Sequence, residues 1–173
     1  MTEKIYIILV LFLLSCPAFA DTPWEDYMAL PTLENAAKVT KIEYTKGAIP
    51  ENYGYWAPDL DILRNQVLGC DKEAFRLTFR LIQKSDGGLL ESLIVILSHT
   101  IRPHPKFFLE EMSALNPRRA ILKSILLMPG LEYVDRMDAQ QYEIKMREKA
   151  LATISDKKLN AFRDICLEIM KNK

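Results

Sequence analysis

The chain has 173 residues, 49% of them hydrophobic and 27% charged, with 23 basic residues balanced by 23 acidic ones. A zero net charge gives no support for nucleic-acid binding, which needs a basic surface to displace phosphate counterions. The length is that of one ordinary domain, and a domain of about 150 residues buries roughly 70% of its unfolded-chain surface, so it can stand on a hydrophobic core alone.

The N-terminus has three parts: a short charged start at Lys4, an unbroken apolar run from Ile5 to Leu14, and an exit segment containing Pro17. Ala18-Phe19-Ala20 supplies small residues at both positions a signal peptidase reads. Residues 1–20 therefore read as a cleavable secretory signal peptide, cut after Ala20. The apolar run is too short for a stable bilayer span, which needs about 20 residues. A rival cut exists at Leu13-Leu14-Ser15-Cys16, which resembles the lipobox of bacterial lipoproteins. In that case Cys16 carries acyl chains and they set the membrane affinity.

Residues 21–58 hold Pro23, Pro31, Pro50 and Pro58 together with both tryptophans, and read as an irregular arm lying on the domain. Within it Thr32 is placed to cap a short helix through about Val39, and Lys46-Gly47 and Asn52-Tyr53-Gly54 are turn signals. Ile42–Thr45 has the composition of a short strand but no evident partner. Trp24, Tyr27, Tyr53, Tyr55 and Trp56 make this arm unusually aromatic. Such residues either pin an irregular segment to a core or stay exposed and anchor a partner or a glycan. Pinning is the favoured reading, with Tyr55 and Trp56 kept as candidate partner-binding residues.

From residue 59 onward the period is helical. Leu60, Leu63 and Val67 share one face of a first helix, which Gly69 closes in the post-helix position. Asp71 caps a second helix carrying Phe75, Phe79 and Ile82, with Leu77 and Leu81 beside them. Gly87-Gly88 is a break. The following run, Leu89, Leu90, Leu93–Leu97 and Ile101, is apolar nearly all round and marks a central buried helix. Pro103 and Pro105 end it and start a helix striped by Phe108, Met112 and Leu115. Asn116-Pro117 is a boundary, because the residue before proline avoids helical geometry. Ile121, Leu122, Ile125 and Leu126 stripe the next helix, which ends at Pro129-Gly130. A loop leads to a charged helix with Tyr142, Met146 and Ala150, and Ser155 is placed to cap the last, which carries Leu159, Phe162, Cys166 and Ile169.

A shift of 33 residues sets Phe75 over Phe108, Phe79 over Met112 and Ile82 over Leu115. The same shift sets Leu89 over Leu122, Leu93 over Leu126 and Ile94 over Leu127. A third pair follows less faithfully, with Tyr142 and Met146 lying 34 residues beyond Phe108 and Met112. Over about residues 59–171 the pattern resembles HEAT-type helical repeats. The expected fold is all-α: a short α-solenoid or curled bundle of about three helical hairpins, residues 59–173, behind the N-terminal arm.

Cys70 and Cys166 form an even pair after signal cleavage, and in an exported protein this suggests a disulfide. Loops near 100 residues gain about 4–5 kcal/mol from closure in the entropy account. Two buried thiols are the alternative, since free Cys behaves as a small hydrophobe and Cys166 lies on an apolar stripe. A straight solenoid holds its ends apart, whereas a disulfide needs Cα atoms within about 7 Å, so the bond demands a closed or tightly curled form.

No motif in the chain calls for a cofactor, a metal or a catalytic centre. His99 and His104, five apart with Pro103 between them, do not share one helix face as a metal pair at i and i+4 would. His99 is placed to end a helix, where its ring suits the last carbonyls. With Arg102 and Lys106 the two histidines form a basic corner, a candidate edge for an acidic partner. Ser98 and His99 are helix neighbours and point apart, so they make no nucleophile–base pair. Glu110-Glu111 reads as a solvated face. The leading expectation is an exported, non-enzymatic helical domain that binds a protein of the cell envelope, of the class that includes immunity proteins and envelope adaptors. The rivals are an envelope hydrolase or glycan binder using the aromatic arm and the His99–His104 corner, and a lipid-anchored structural protein.

Overall fold

The computed structural model describes residues 22–44, 58–130, 133 and 135–172. Every regular element among them is a helix: α1 Pro23–Ala29, α2 Leu33–Lys38, α3 Pro58–Leu68, α4 Lys72–Ile82, α5 Gly87–Ser98, α6 Pro105–Leu115, α7 Arg119–Leu127, α8 Met137–Ala152 and α9 Asn160–Lys171. Residues 1–20, with Cys16 and Ala20, and the turn signals, Tyr53, Tyr55 and Trp56 of the arm lie outside the described residues.

The arm is more regular than its prolines suggest. Thr22 accepts from the Glu25 N–H while the Glu25 carboxylate accepts from the Thr22 N–H, a capping box with Pro23 at the first helical position. Thr32 caps α2 through the Asn35 N–H, as its position in the sequence predicts. Both helices are shorter than the length at which an isolated helix holds together in water, so their stability comes from packing. Trp24 is fully buried and Tyr27 is 2% exposed. The Tyr27 hydroxyl donates to Gln66 Oε1 at 2.7 Å, and Arg80 Nη2 donates to the Ala36 carbonyl at 2.8 Å. These contacts tie α1 to α3 and α2 to α4. Trp24 and Tyr27 are thus pinned in the core, Tyr44 packs partly buried against it, and Ile42–Tyr44 forms no strand.

The helices stack as a ladder. Along the chain each helix packs against the one two positions further on: α1 on α3, α2 on α4, and so through α7 on α9. This separates α1, α3, α5, α7 and α9 into one layer and α2, α4, α6 and α8 into the other. Helix α6 also touches α9, whereas α1, α2 and α3 do not pack against α8 or α9. Helix α6 starts 33 residues after α4, the offset read from the sequence, and lies beside it. Phe75 of α4 meets Phe107 and Phe108 of α6 edge-on, at centroid distances of 5.3 and 6.4 Å. Helix α5 packs against α3, α4 and α7, and its residues from Ser92 to Ser98 are all buried, as expected of a central helix.

Several boundaries differ from the sequence reading. Helix α3 ends in a Schellman turn, with Cys70 N–H donating to the Val67 carbonyl and Asp71 N–H to the Gln66 carbonyl. The left-handed residue is Cys70 (φ 62°), one place beyond the glycine expected to fill it. Helix α9 starts at Asn160 rather than after Ser155. Asp156 intervenes, its carboxylate accepting from the Lys158 N–H at 3.0 Å and its carbonyl from the Leu159 N–H. On α8 the expected stripe is displaced: Tyr142 is 59% exposed, and the buried residues are Arg147 and Leu151.

The Cys70–Cys166 disulfide is not formed; both thiols are free. Cys70 follows α3 and Cys166 lies in α9, and these two helices do not pack against each other. Cys166 is fully buried and fills the core as a small apolar side chain. Burial pushes its thiol up from the ordinary 9.0 to about 12, and burial followed by the Asp71 charge pushes the Tyr27 phenol from 10.0 to about 12. Both groups hold in the native state protons that the unfolded chain releases first. Their contribution to stability is therefore complete below about pH 9 and declines as pH rises from 9 to 12. Urea midpoints measured at pH 8, 10 and 11 should fall progressively, and in Cys166→Ala the fall between pH 8 and 10 should shrink.

Candidate binding cleft

The turn between α4 and α5 and the turn between α6 and α7 lie at the same edge of the ladder, and a cleft opens between them. Each wall follows from local sequence. Helix α6 stops at Asn116, whose N–H still donates to the Met112 carbonyl while its left-handed conformation (φ 46°) turns the chain aside. Pro117 then forces the chain out of the helix, and α7 restarts from Arg118. This re-aims Leu115, Pro117, Ala120 and Ile121 at Phe79, Ile82, Leu90 and Ile94 of the preceding pair. The space enclosed is about 570 Å³, within the roughly 300–1,000 Å³ range of pockets that take small ligands or side chains.

The floor is apolar, and the polar groups of the lining are Gln83, Asn116, Arg118 and Ser124. Among the described residues neither a carboxylate nor His or Cys lines the cleft. Arg118 is its one charged group; it is exposed, and its guanidinium has no ion pair or hydrogen bond with any described residue. The Ser124 hydroxyl donates to the Ala120 carbonyl at 3.2 Å, so it is held by its own helix. The arrangement can receive an apolar body and face an anion. It presents no acid–base pair.

The basic corner named from the sequence lies at the other edge. His99 is the C-cap of α5 and His104 the N-cap of α6, both half-buried. His99 ends α5, whose other end carries the α4–α5 turn, and His104 precedes α6, whose other end carries Asn116; neither histidine lines the cleft. The cations there meet carboxylates of the chain itself. Arg102 pairs with Glu143 at 3.2 Å, and Lys106 with Asp156 at 3.4 Å and Glu110 at 3.7 Å. The field an acidic partner would feel is correspondingly reduced.

Glu111, expected on a solvated face, is 3% exposed. It accepts from Arg76 Nε at 2.8 Å and faces Lys72 Nζ at 3.6 Å, clamping α6 to α4. Its lone pairs are directed to cations of the neighbouring helix, away from the cleft. The Ser98 hydroxyl donates to the Val95 carbonyl at 2.8 Å, in keeping with a structural role. Among the described residues no group of three or more His, Cys, Asp or Glu is placed to hold a metal ion. Nor is any helix among them long and apolar enough to cross a membrane.

Sequence reading missed the cleft because its walls come from four helices. The signal was present in part: the 33-residue shift that sets Ile82 over Leu115 also aligns the two turns that face each other across it. Compared with known proteins, the chain matches no family model, no curated protein and no solved structure.

Proposed function

We propose that the chain is an exported, non-enzymatic helical module that binds another protein of the cell envelope, and that its helix pairs form a short solenoid of the HEAT-like kind. The observation that carries the binding reading is the cleft between the α4–α5 and α6–α7 turns: concave, largely apolar and free of acid–base groups among its lining residues. Stacked pairs offer extended surfaces, and the turns between them are where neighbouring units leave grooves. Export rests on residues 1–20, whose charged start, apolar run and Ala18-Phe19-Ala20 site have the order of a signal peptide. The glycan alternative loses Trp24 and Tyr27, since both are buried and neither face is open to stack on a sugar.

Ala120 is exposed on the cleft wall, so Ala120→Trp fills the cleft without replacing a core residue. Tagged residues 21–173 are incubated with extract of their own cell envelope, beside this variant. Wild type should retain one stoichiometric protein and Ala120→Trp should lose it, with unchanged helicity and Tm. Equal retention by both, or retention of nothing by folded wild type, would overturn the proposal. The mass of the exported protein should correspond to a start at Asp21.

A further inference from the structure

Resting on that reading, the charge pattern of the cleft indicates what kind of segment it receives. Seven of the nine arginines of the chain are engaged within it. Arg64, Arg76, Arg102, Arg119, Arg147 and Arg163 pair with carboxylates, and Arg80 with a backbone carbonyl. Arg118 and Arg136 are the other two, and of these only Arg118 lines the cleft. Its neighbour Arg119 turns to Glu168 at 2.8 Å, while Arg118 remains at the cleft rim with no partner among the described residues. Phe79, Ile82 and Ile94, each no more than 5% exposed, form the floor beneath it. A guanidinium on an apolar wall matches a carboxylate in planar, bidentate geometry, and adjacent low-dielectric surface strengthens that bond. No side chain caps α7, whose first turn forms the same rim, so its fixed dipole adds to the positive potential of Arg118. Size narrows the occupant further. A space of about 570 Å³ takes a few side chains of an extended stretch, not a whole helix of about 10–12 Å diameter.

We propose that the cleft binds a short extended segment of the partner in which large apolar residues enter between Ile82 and Ile121 and an adjacent Asp or Glu pairs with Arg118. Recognition then combines an apolar anchor, which gives affinity, with one charge-assisted contact, which fixes register and sign.

The test is selection from a random heptapeptide library displayed on phage, run in parallel on the wild-type protein, Arg118→Glu and Ala120→Trp. Arg118 is exposed, and equal thermal melts verify that the variants fold. Wild type should enrich peptides with two or more large apolar residues next to an Asp or Glu. Arg118→Glu should replace that acid by Lys or Arg, and Ala120→Trp should abolish enrichment. A synthetic winner should bind Arg118→Gln roughly tenfold more weakly, the loss expected for a hydrogen bond to a charged group. If wild type enriches apolar peptides with no acidic preference, or Arg118→Glu keeps the same preference, this inference fails, while loss in Ala120→Trp alone leaves the protein-segment reading standing. Enrichment unchanged in Ala120→Trp defeats both. If no peptide is enriched and dodecanoate instead shifts the amide resonances of Leu115–Ser124, the occupant is a lipid-like anion and the inference is overturned. No enrichment and no shift overturns it too.

Discussion

Trp24→Ala should destabilise the folded chain by about 3–5 kcal/mol, the cost of emptying a large fully buried aromatic site. Trp24 has no exposed surface and packs 6.2 Å from the Tyr27 ring. Helix α1 is seven residues long, far below the roughly 12–15 residues at which an isolated helix becomes marginal. Its anchoring therefore resides in Trp24, Tyr27 and the Thr22 cap. At roughly 2–4 °C per kcal/mol for a chain of this size, the melting temperature should drop by about 10 °C. Hydrogen exchange should show α1 and α2 opening first, with α5 keeping the protection of the global core. Trp24→Phe should recover a large part of the loss. A Trp24→Ala variant as stable as wild type would mean that the arm is not part of the cooperative unit.

The second large effect belongs to Glu143. Arg147 is fully buried, and its Nε meets Glu143 Oε1 at 3.2 Å while Nη1 donates to the Met128 carbonyl at 2.9 Å. The other Glu143 oxygen faces Arg102 Nη1 at 3.2 Å. One carboxylate thus serves a buried and an exposed guanidinium and ties α8 to the loop before α6. Glu143→Gln keeps the shape but takes the negative charge away from a guanidinium that has no access to water. The expected loss is on the order of 3 kcal/mol, because a desolvated guanidinium loses the carboxylate charge that faces it. Arg147→Met in the same background removes that charge, so the double variant should be more stable than Glu143→Gln alone. Urea denaturation of the four proteins in this cycle gives the coupling directly. A coupling near zero would place the stabilisation elsewhere.

These residues also show where the sequence was readable and where it was not. Helices α3 to α7 were legible because their core faces are apolar at helical spacing and their ends carry strong punctuation: Asp71, Asn116-Pro117 and paired prolines at 103 and 105. Helix α8 was misread in register because its inward position is an arginine. A search for apolar stripes follows Tyr142 and Met146, and it cannot see that a guanidinium with a carboxylate four residues before it is the buried group. The Thr22-Pro23-Trp24-Glu25 capping box was in plain view, but proline content masked it. Glu111 illustrates the same limit: whether a carboxylate is solvated or clamped depends on Arg76, 35 residues away. The cysteines failed as a pair for a topological reason, since Cys70 follows α3 and Cys166 lies in α9, helices that do not pack against each other. The cleft required four helices to be placed before Arg118 could be recognised as its charged rim.

The proposed binding edge, between the α4–α5 and α6–α7 turns, can be located in the cell envelope itself. The most direct measurement is site-specific photocrosslinking in the cell envelope. A photoreactive phenylalanine analogue is placed at Ser124 in the cleft and, separately, at exposed Lys149 on α8, which does not line it. One discrete protein adduct is expected from position 124, absent from position 149 and lost when Ala120→Trp is added. Equal adducts from both positions, or none from position 124 in folded, exported protein, would contradict it.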